Sequence, residues 1–220
     1  MPKFTDAVGF SKLDCFRECP QKFKFQFIDK LPQPSSPALE RGSALHDACE
    51  TYVRGWSKEL PESLERWKEG LDYLISMKAV PELAWGFDKD WSLLPNWLDK
   101  SCWLRVKLDV YFFLDEETLV VIDYKSGKYR VPSQEQNELY AISGHAAFPH
   151  VKKVITAYWF LDQTEAPYET TYMADHLVLL RKKYEDYFAP LFEEEEWAPT
   201  PSRNCRWCSY AKHNGGKCEY

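Results

Sequence analysis

Residues 103–125 constrain the fold more than any other stretch of the chain. Leu104, Val106, Leu108, Val110 and Phe112 alternate with Arg105, Lys107, Asp109, Tyr111 and Phe113, the two-residue period of a strand with one buried face. Asp115-Glu116-Glu117 is a polar turn, and Leu119-Val120-Val121-Ile122 is a short apolar run suited to a central strand. The segment therefore reads as a β-hairpin. Folded symmetrically about Glu116, it sets Asp109 opposite Asp123 and Lys107 opposite Lys125. Opposed residues of an antiparallel pair have Cβ atoms roughly 4.5–5.5 Å apart, and like charges there repel. A divalent cation between the two aspartates would remove that conflict.

Asp123 and Lys125 lie two residues apart on one strand, so their side chains leave the same face. Two carboxylates and an ammonium suit phosphodiester hydrolysis. The carboxylates offer oxygen ligands to Mg²⁺ or Mn²⁺. The cation polarises the phosphate and acidifies a water, and the lysine orients that water or offsets developing charge. The plainer alternative is a surface hairpin whose Asp and Lys are solvated.

Around the hairpin, residues 11–29 read as a helix broken at Pro20, with Leu13, Phe16, Phe23 and Phe27 at helical spacing. Prolines 32, 34 and 37 mark a loop. An amphipathic helix follows, with Leu39, Gly42, Leu45, His46, Cys49, Val53 and Trp56 on one face. Further helices are expected at 61–79, 133–147 and 175–192, and strands at 82–87, 151–161 and 167–173. Together these predict an α/β fold with a mixed central sheet flanked by helices. One domain is expected over 1–220, with its core at 38–192 and a cysteine-rich subregion formed by 11–30 and 199–220.

Val106-Lys107-Leu108-Asp109-Val110 followed by Val121-Ile122-Asp123-Tyr124-Lys125-Ser126-Gly127 resembles the nuclease core of the RecB and AddB family. That family lies within the PD-(D/E)XK (restriction-endonuclease-like) superfamily and includes CRISPR-associated RecB-like exonucleases and phage nucleases. The resemblance implies Asp109, Asp123 and Lys125 as catalytic residues. It extends to Gly42-Ser43-Ala44-Leu45-His46, like the upstream G-x-x-x-H helix whose histidine joins the metal site. Gln136-Asn137-Glu138-Leu139-Tyr140 is similar to the Q-x-x-x-Y element that holds DNA or supports the site. Glu82 matches an additional acidic ligand of some members. The first two have plainer readings, a satisfied core histidine and a capping box of Ser133 with Gln136.

Cys205-Arg206-Trp207-Cys208 and Cys218 supply three metal-ligand candidates, and a closed tetrahedral site needs a fourth. Cys19, in Arg17-Glu18-Cys19-Pro20, resembles the upstream Cys-Pro of the family's iron–sulfur members. The resemblance implies a 4Fe-4S cluster on Cys19, Cys205, Cys208 and Cys218; four thiolates equally suit Zn²⁺. The interval before Cys218 is longer than the family's, which brings in His213 as a substitute ligand. Cys15, one turn before Cys19, competes with it. Cys49 reads as a buried thiol.

The first residues lack the apolar core of a signal peptide, and no run of 18 apolar residues exists; a cytoplasmic protein without a membrane span is the expectation. The net charge of −6 argues against coating nucleic acid by bulk electrostatics but not against a local site. Lys125-Lys128-Arg130, Lys152-Lys153 and Arg181-Lys182-Lys183 are candidate phosphate contacts or solvated faces. What the resemblance implies is a Mg²⁺- or Mn²⁺-dependent DNA exonuclease acting on ends or single strands in recombination, repair or phage DNA metabolism, alone or with a helicase or recombination partner. A non-catalytic DNA-binding or assembly module, and an endonuclease or CRISPR-adaptation processing nuclease, remain the alternatives.

Overall fold

The computed structural model describes residues 3–127, 133–163 and 167–220. It divides into two compact units, one of residues 36–182 and one of residues 1–35 with 183–220.

The larger unit is built on a five-stranded sheet of order β1-β2-β3-β4-β5, comprising β1 (Val80–Phe87), β2 (Leu104–Asp115), β3 (Thr118–Lys125), β4 (Lys153–Phe160) and β5 (Tyr168–Met173). β3 and β4 run parallel and every other neighbouring pair is antiparallel, so the sheet is mixed. The expected α/β class holds. The hairpin closes in the symmetric register, with Val110 facing Ile122 and Phe113 facing Leu119, and a bulge between Phe113 and Asp115. β3 is buried almost end to end, as an apolar central strand requires.

Helix α3 (Pro37–Val53) starts where Ser36 Oγ accepts the Leu39 N–H at 3.2 Å and Pro37 occupies the first turn. Its Leu45, Cys49, Tyr52 and Val53 join Leu71 and Leu74 of α4 (Lys68–Ser76) over one sheet face, against Val110, Phe112, Val120, Ile122 and Trp159. The apolar stripe is shorter than the sequence suggests. Leu39 is 63% exposed in the first turn, and Trp56 is 72% exposed beyond the helix end, its ring against the Arg54 guanidinium. The segment before α4 is also tighter than expected, a 3-10 turn over Glu62–Trp67. On the opposite sheet face lies α5 (Gln134–Ala147), capped by Ser133 Oγ on the Gln136 N–H, with Gly144 packed against Leu119 and Val154.

The smaller unit contains α1 (Phe10–Glu18) and α2 (Pro20–Phe23), separated at Pro20 and followed by a π-helical turn over Lys24–Ile28. Helix α6 (Ala174–Glu193) carries the chain from the larger unit back into the smaller. Aromatic rings make the smaller unit's core: Phe23 stacks on Trp197 with centroids 5.5 Å apart, and Phe4 and Phe16 meet Phe23 edge-on.

Candidate active site and cysteine cavity

The recorded β2–β3 pairs end at Val110 and Ile122, one step short of Asp109 and Asp123. Beyond that point the Asp109 carboxylate takes over part of the ladder, its Oδ2 accepting the Tyr124 N–H at 2.7 Å. Its Oδ1 lies 3.2 Å from His46 Nδ1, across from α3. Burial disfavours the charged imidazole, but the Asp109 carboxylate outweighs it and His46 titrates above its ordinary value.

Gly42 makes this contact reachable. A Cβ there would lie 2.8 Å from Ser126 Oγ, so only glycine lets α3 approach the end of β3 closely enough to present His46 one turn later.

Asp123 is buried and its partners are different. Tyr140 donates to Oδ1 at 2.6 Å, and the Lys125 ammonium lies 2.6 Å from Oδ2, an ion contact whose geometry falls short of a hydrogen bond. Burial pushes the Asp123 carboxyl upward, with Lys125 opposing. Lys125 Nζ also donates to Gln136 Oε1 at 3.0 Å, and Gln136 Nε2 donates to Tyr140 at 2.9 Å. Lys125, Gln136, Tyr140 and Asp123 therefore close a ring. Each aspartate has partners of its own, and the Asp109 charge still acts on Asp123, helping to raise its carboxyl.

Lys107 does not oppose Lys125 as a bare like charge. It turns to β1, where its ammonium meets Glu82 at 2.5 Å. Glu82 stands across from Asp109 in the β1–β2 register, between the pairs Pro81–Val110 and Leu83–Leu108. Its φ of +48° lies in the left-handed region, a costly conformation for a residue with a Cβ. The side chain thus points at Lys107 rather than joining Asp109.

Sequence reasoning missed two supports. Tyr158 of β4 is paired with Asp123 in the parallel register, a neighbour that appears only once strand order is known. The turn after β4 holds Asp162, which accepts the Gly127 N–H at 2.5 Å and grips Arg41 of α3 with both oxygens. Arg41 draws the Asp162 carboxyl down to about 2. Among the basic groups, Lys152 pairs with Glu117 and Arg181 lies over Trp91; Lys128 and Arg130 fall outside the described residues.

In the smaller unit Cys19, Cys205, Cys208 and Cys218 line one cavity of about 30 Å³. Cys15 is not on its wall; its thiol is buried, which raises it to about 12, and it faces Gln26. His213 faces the Arg206 carbonyl at 3.3 Å instead of the cavity. The long interval before Cys218 is taken up by a turn in which Asn214 donates to the carbonyls of Arg206 and Cys208. Gly216 there presses on the Tyr210 backbone, where no Cβ fits.

Among the described residues, no three His, Cys, Asp or Glu side chains stand in finished metal-holding geometry. The donor sets nevertheless fit. Asp123 Oδ2 is buried without a hydrogen bond, beside a second carboxylate and an imidazole. Backbone N–H groups of Lys22 and Thr200 point at Cys19 Sγ, and that of Ser202 at Cys205 Sγ, hydrogen bonds of the kind that surround sulfur ligands.

A family model described as the PD-(D/E)XK nuclease superfamily matches residues 7–213. The chain belongs to the PD-(D/E)XK nuclease superfamily. Two solved structures share the fold of this chain. One is the crystal structure of SSO0001, 15% identical, with a TM-score of 0.52 over 96% of this chain and 87% of that one. The other is a Eubacterium rectale protein provisionally named an exonuclease, 11% identical, with a TM-score of 0.54 over 96% and 88%. At those identities the likeness speaks for the fold alone. No curated protein sequence matches, and no described helix is long and apolar enough to cross a membrane.

Proposed function

We propose that this PD-(D/E)XK protein is a Mg²⁺- or Mn²⁺-dependent deoxyribonuclease that acts on DNA ends or single strands in recombination, repair or phage DNA metabolism. The observation that carries the proposal is the closed ring of Lys125, Gln136, Tyr140 and Asp123 standing beside the Asp109–His46 pair. Asp109, Asp123 and His46 would hold the divalent cation, which supplies Lewis acidity toward a phosphate and an acidified water. Tyr140 keeps Asp123 Oδ1 as an acceptor in a fixed orientation. Lys125, held by Gln136, stands ready to neutralise charge developing on a phosphate. Glu82 would join the ligands only after releasing Lys107.

The exonuclease term rests on the RecB-like sequence resemblance and is also the provisional name of the Eubacterium rectale fold relative. The cysteine cavity is assigned a 4Fe-4S cluster on Cys19, Cys205, Cys208 and Cys218. Four thiols lining one cavity and three N–H groups aimed at sulfur support that assignment.

The test is cleavage of end-labelled linear and circular DNA, single- and double-stranded, with Mg²⁺, Mn²⁺ or EDTA. Linear DNA should be lost with either metal, circles should survive, and Lys125→Ala should fall by at least about 100-fold, the scale of removing one electrostatic stabiliser. Absence of cleavage by the wild type under every metal would refute the enzyme, and cleaved circles would refute the dependence on ends.

A further inference from the structure

Lys125 is anchored from β4 as well as from α5. Tyr158 is fully buried, and its ring centroid lies 4.9 Å from the Lys125 ammonium. Its hydroxyl is 3.1 Å from Gln136 Oε1 and 3.1 Å from the Ser133 carbonyl oxygen. The Ser133 carbonyl can only accept, so the phenol donates on this side, its one proton lying between the two neighbours.

Lys125 settles which way the Gln136 amide points. An ammonium can only donate, so the Gln136 atom it meets must be the oxygen, and the phenol is left to donate toward that same oxygen. The amide nitrogen then faces Tyr140, whose own proton is committed to the acceptor-only Asp123. A flipped amide would set an N–H against an ammonium and leave Tyr140 without a donor.

We propose that Tyr158 is a positioning residue for Lys125. Its hydroxyl locks the Gln136 amide with oxygen toward the lysine, and its ring supplies a floor for the ammonium. Its hydroxyl meets Gln136 and its ring meets Lys125, so it acts through those two residues and not on substrate. This rests on the nuclease reading for its consequence in turnover, but the orientation of Gln136 can be observed without turnover.

Tyr158→Phe keeps the ring and removes the hydroxyl. With wild type active, kcat should fall about 3- to 10-fold, the range set by the net worth of one hydrogen bond. KM for DNA should stay within about twofold and the melting temperature within a few degrees, on the reasoning that a ground-state binding or folding defect would move those instead. In a Gln136→Leu background the same substitution should cost nothing further, because coupled residues are not additive. Independently of activity, the side-chain amide signals of Gln136 in ¹H–¹⁵N spectra should be protected from exchange in wild type and lose that protection in Tyr158→Phe.

An unchanged kcat, or an equal loss in both backgrounds, would overturn the proposal. So would Gln136 signals indifferent to Tyr158→Phe. Inactive wild type with Gln136 signals that still respond to Tyr158→Phe would sink the nuclease reading and leave the positioning role standing.

Discussion

Each carboxylate of the facing pair is served by its own side of the molecule, Asp109 by His46 and a backbone N–H, Asp123 by Lys125 and Tyr140. The hairpin register that brings the two aspartates to one end of the sheet was legible in the sequence because symmetric folding about a polar turn is simple geometry. Their hydrogen-bond partners were not, since no local pattern tells which face of α3 or α5 meets the sheet end. Lys107 shows the same limit: register alone put it against Lys125, while its actual partner, Glu82, comes from a strand whose left-handed residue bends the side chain away. The His46–Asp109 pair has a measurable pH signature. The imidazole titrates above its ordinary 6.5, so the folded state binds its proton more tightly than the unfolded chain does. Its contribution to stability is complete below pH 6.5 and is lost as pH rises through the higher folded value. In EDTA-treated protein the melting temperature should therefore decline across that window, and His46→Gln should flatten the slope. A slope identical in the mutant would mean that another group is responsible.

At the level of elements, strand positions were readable wherever one period held over a whole segment, as in β2. The ends were not. α3 stops at Val53, before Trp56, and the segment before α4 winds as a 3-10 turn. The β4–β5 connection drew no attention in the sequence, although it holds Gly127, two residues after Lys125: Asp162 accepts the Gly127 N–H and grips Arg41, and Gln163 donates to the Gly127 carbonyl at 2.8 Å. Because Arg41 draws the Asp162 carboxyl from 3.8 down to about 2, its stabilisation is present above 3.8 and disappears as pH falls toward 2. Asp162→Asn should lower stability at neutral pH by about 1–3 kcal/mol, the cost of breaking a charge-assisted network, and should lose less on acidification between pH 4 and 2 than wild type does. Acid titrations of the two proteins followed by circular dichroism would check this; parallel curves would contradict it.

For the whole molecule, the spacing of the cysteines announced a link between distant segments, and Cys19, Cys205, Cys208 and Cys218 do meet around one cavity. What fills it could not be read from spacing, because four thiolates serve iron–sulfur and zinc alike. If the cavity holds a cluster, Cys208→Ala should lose brown colour and bound iron and should melt at a lower temperature, with absorption spectroscopy, metal analysis and calorimetry as the checks. Full metal content and full stability in the mutant would contradict the assignment. The aromatic core beside that cavity carries a consequence for how the chain is made. Phe23 leaves the ribosome early and Trp197, the ring it stacks on, leaves late. At about 5–20 residues per second, the first helices wait roughly 10 to 35 s for their other half. During that interval the larger unit can already be complete, while Phe4, Phe16 and Phe23 remain open to the chaperones that attend nascent chains.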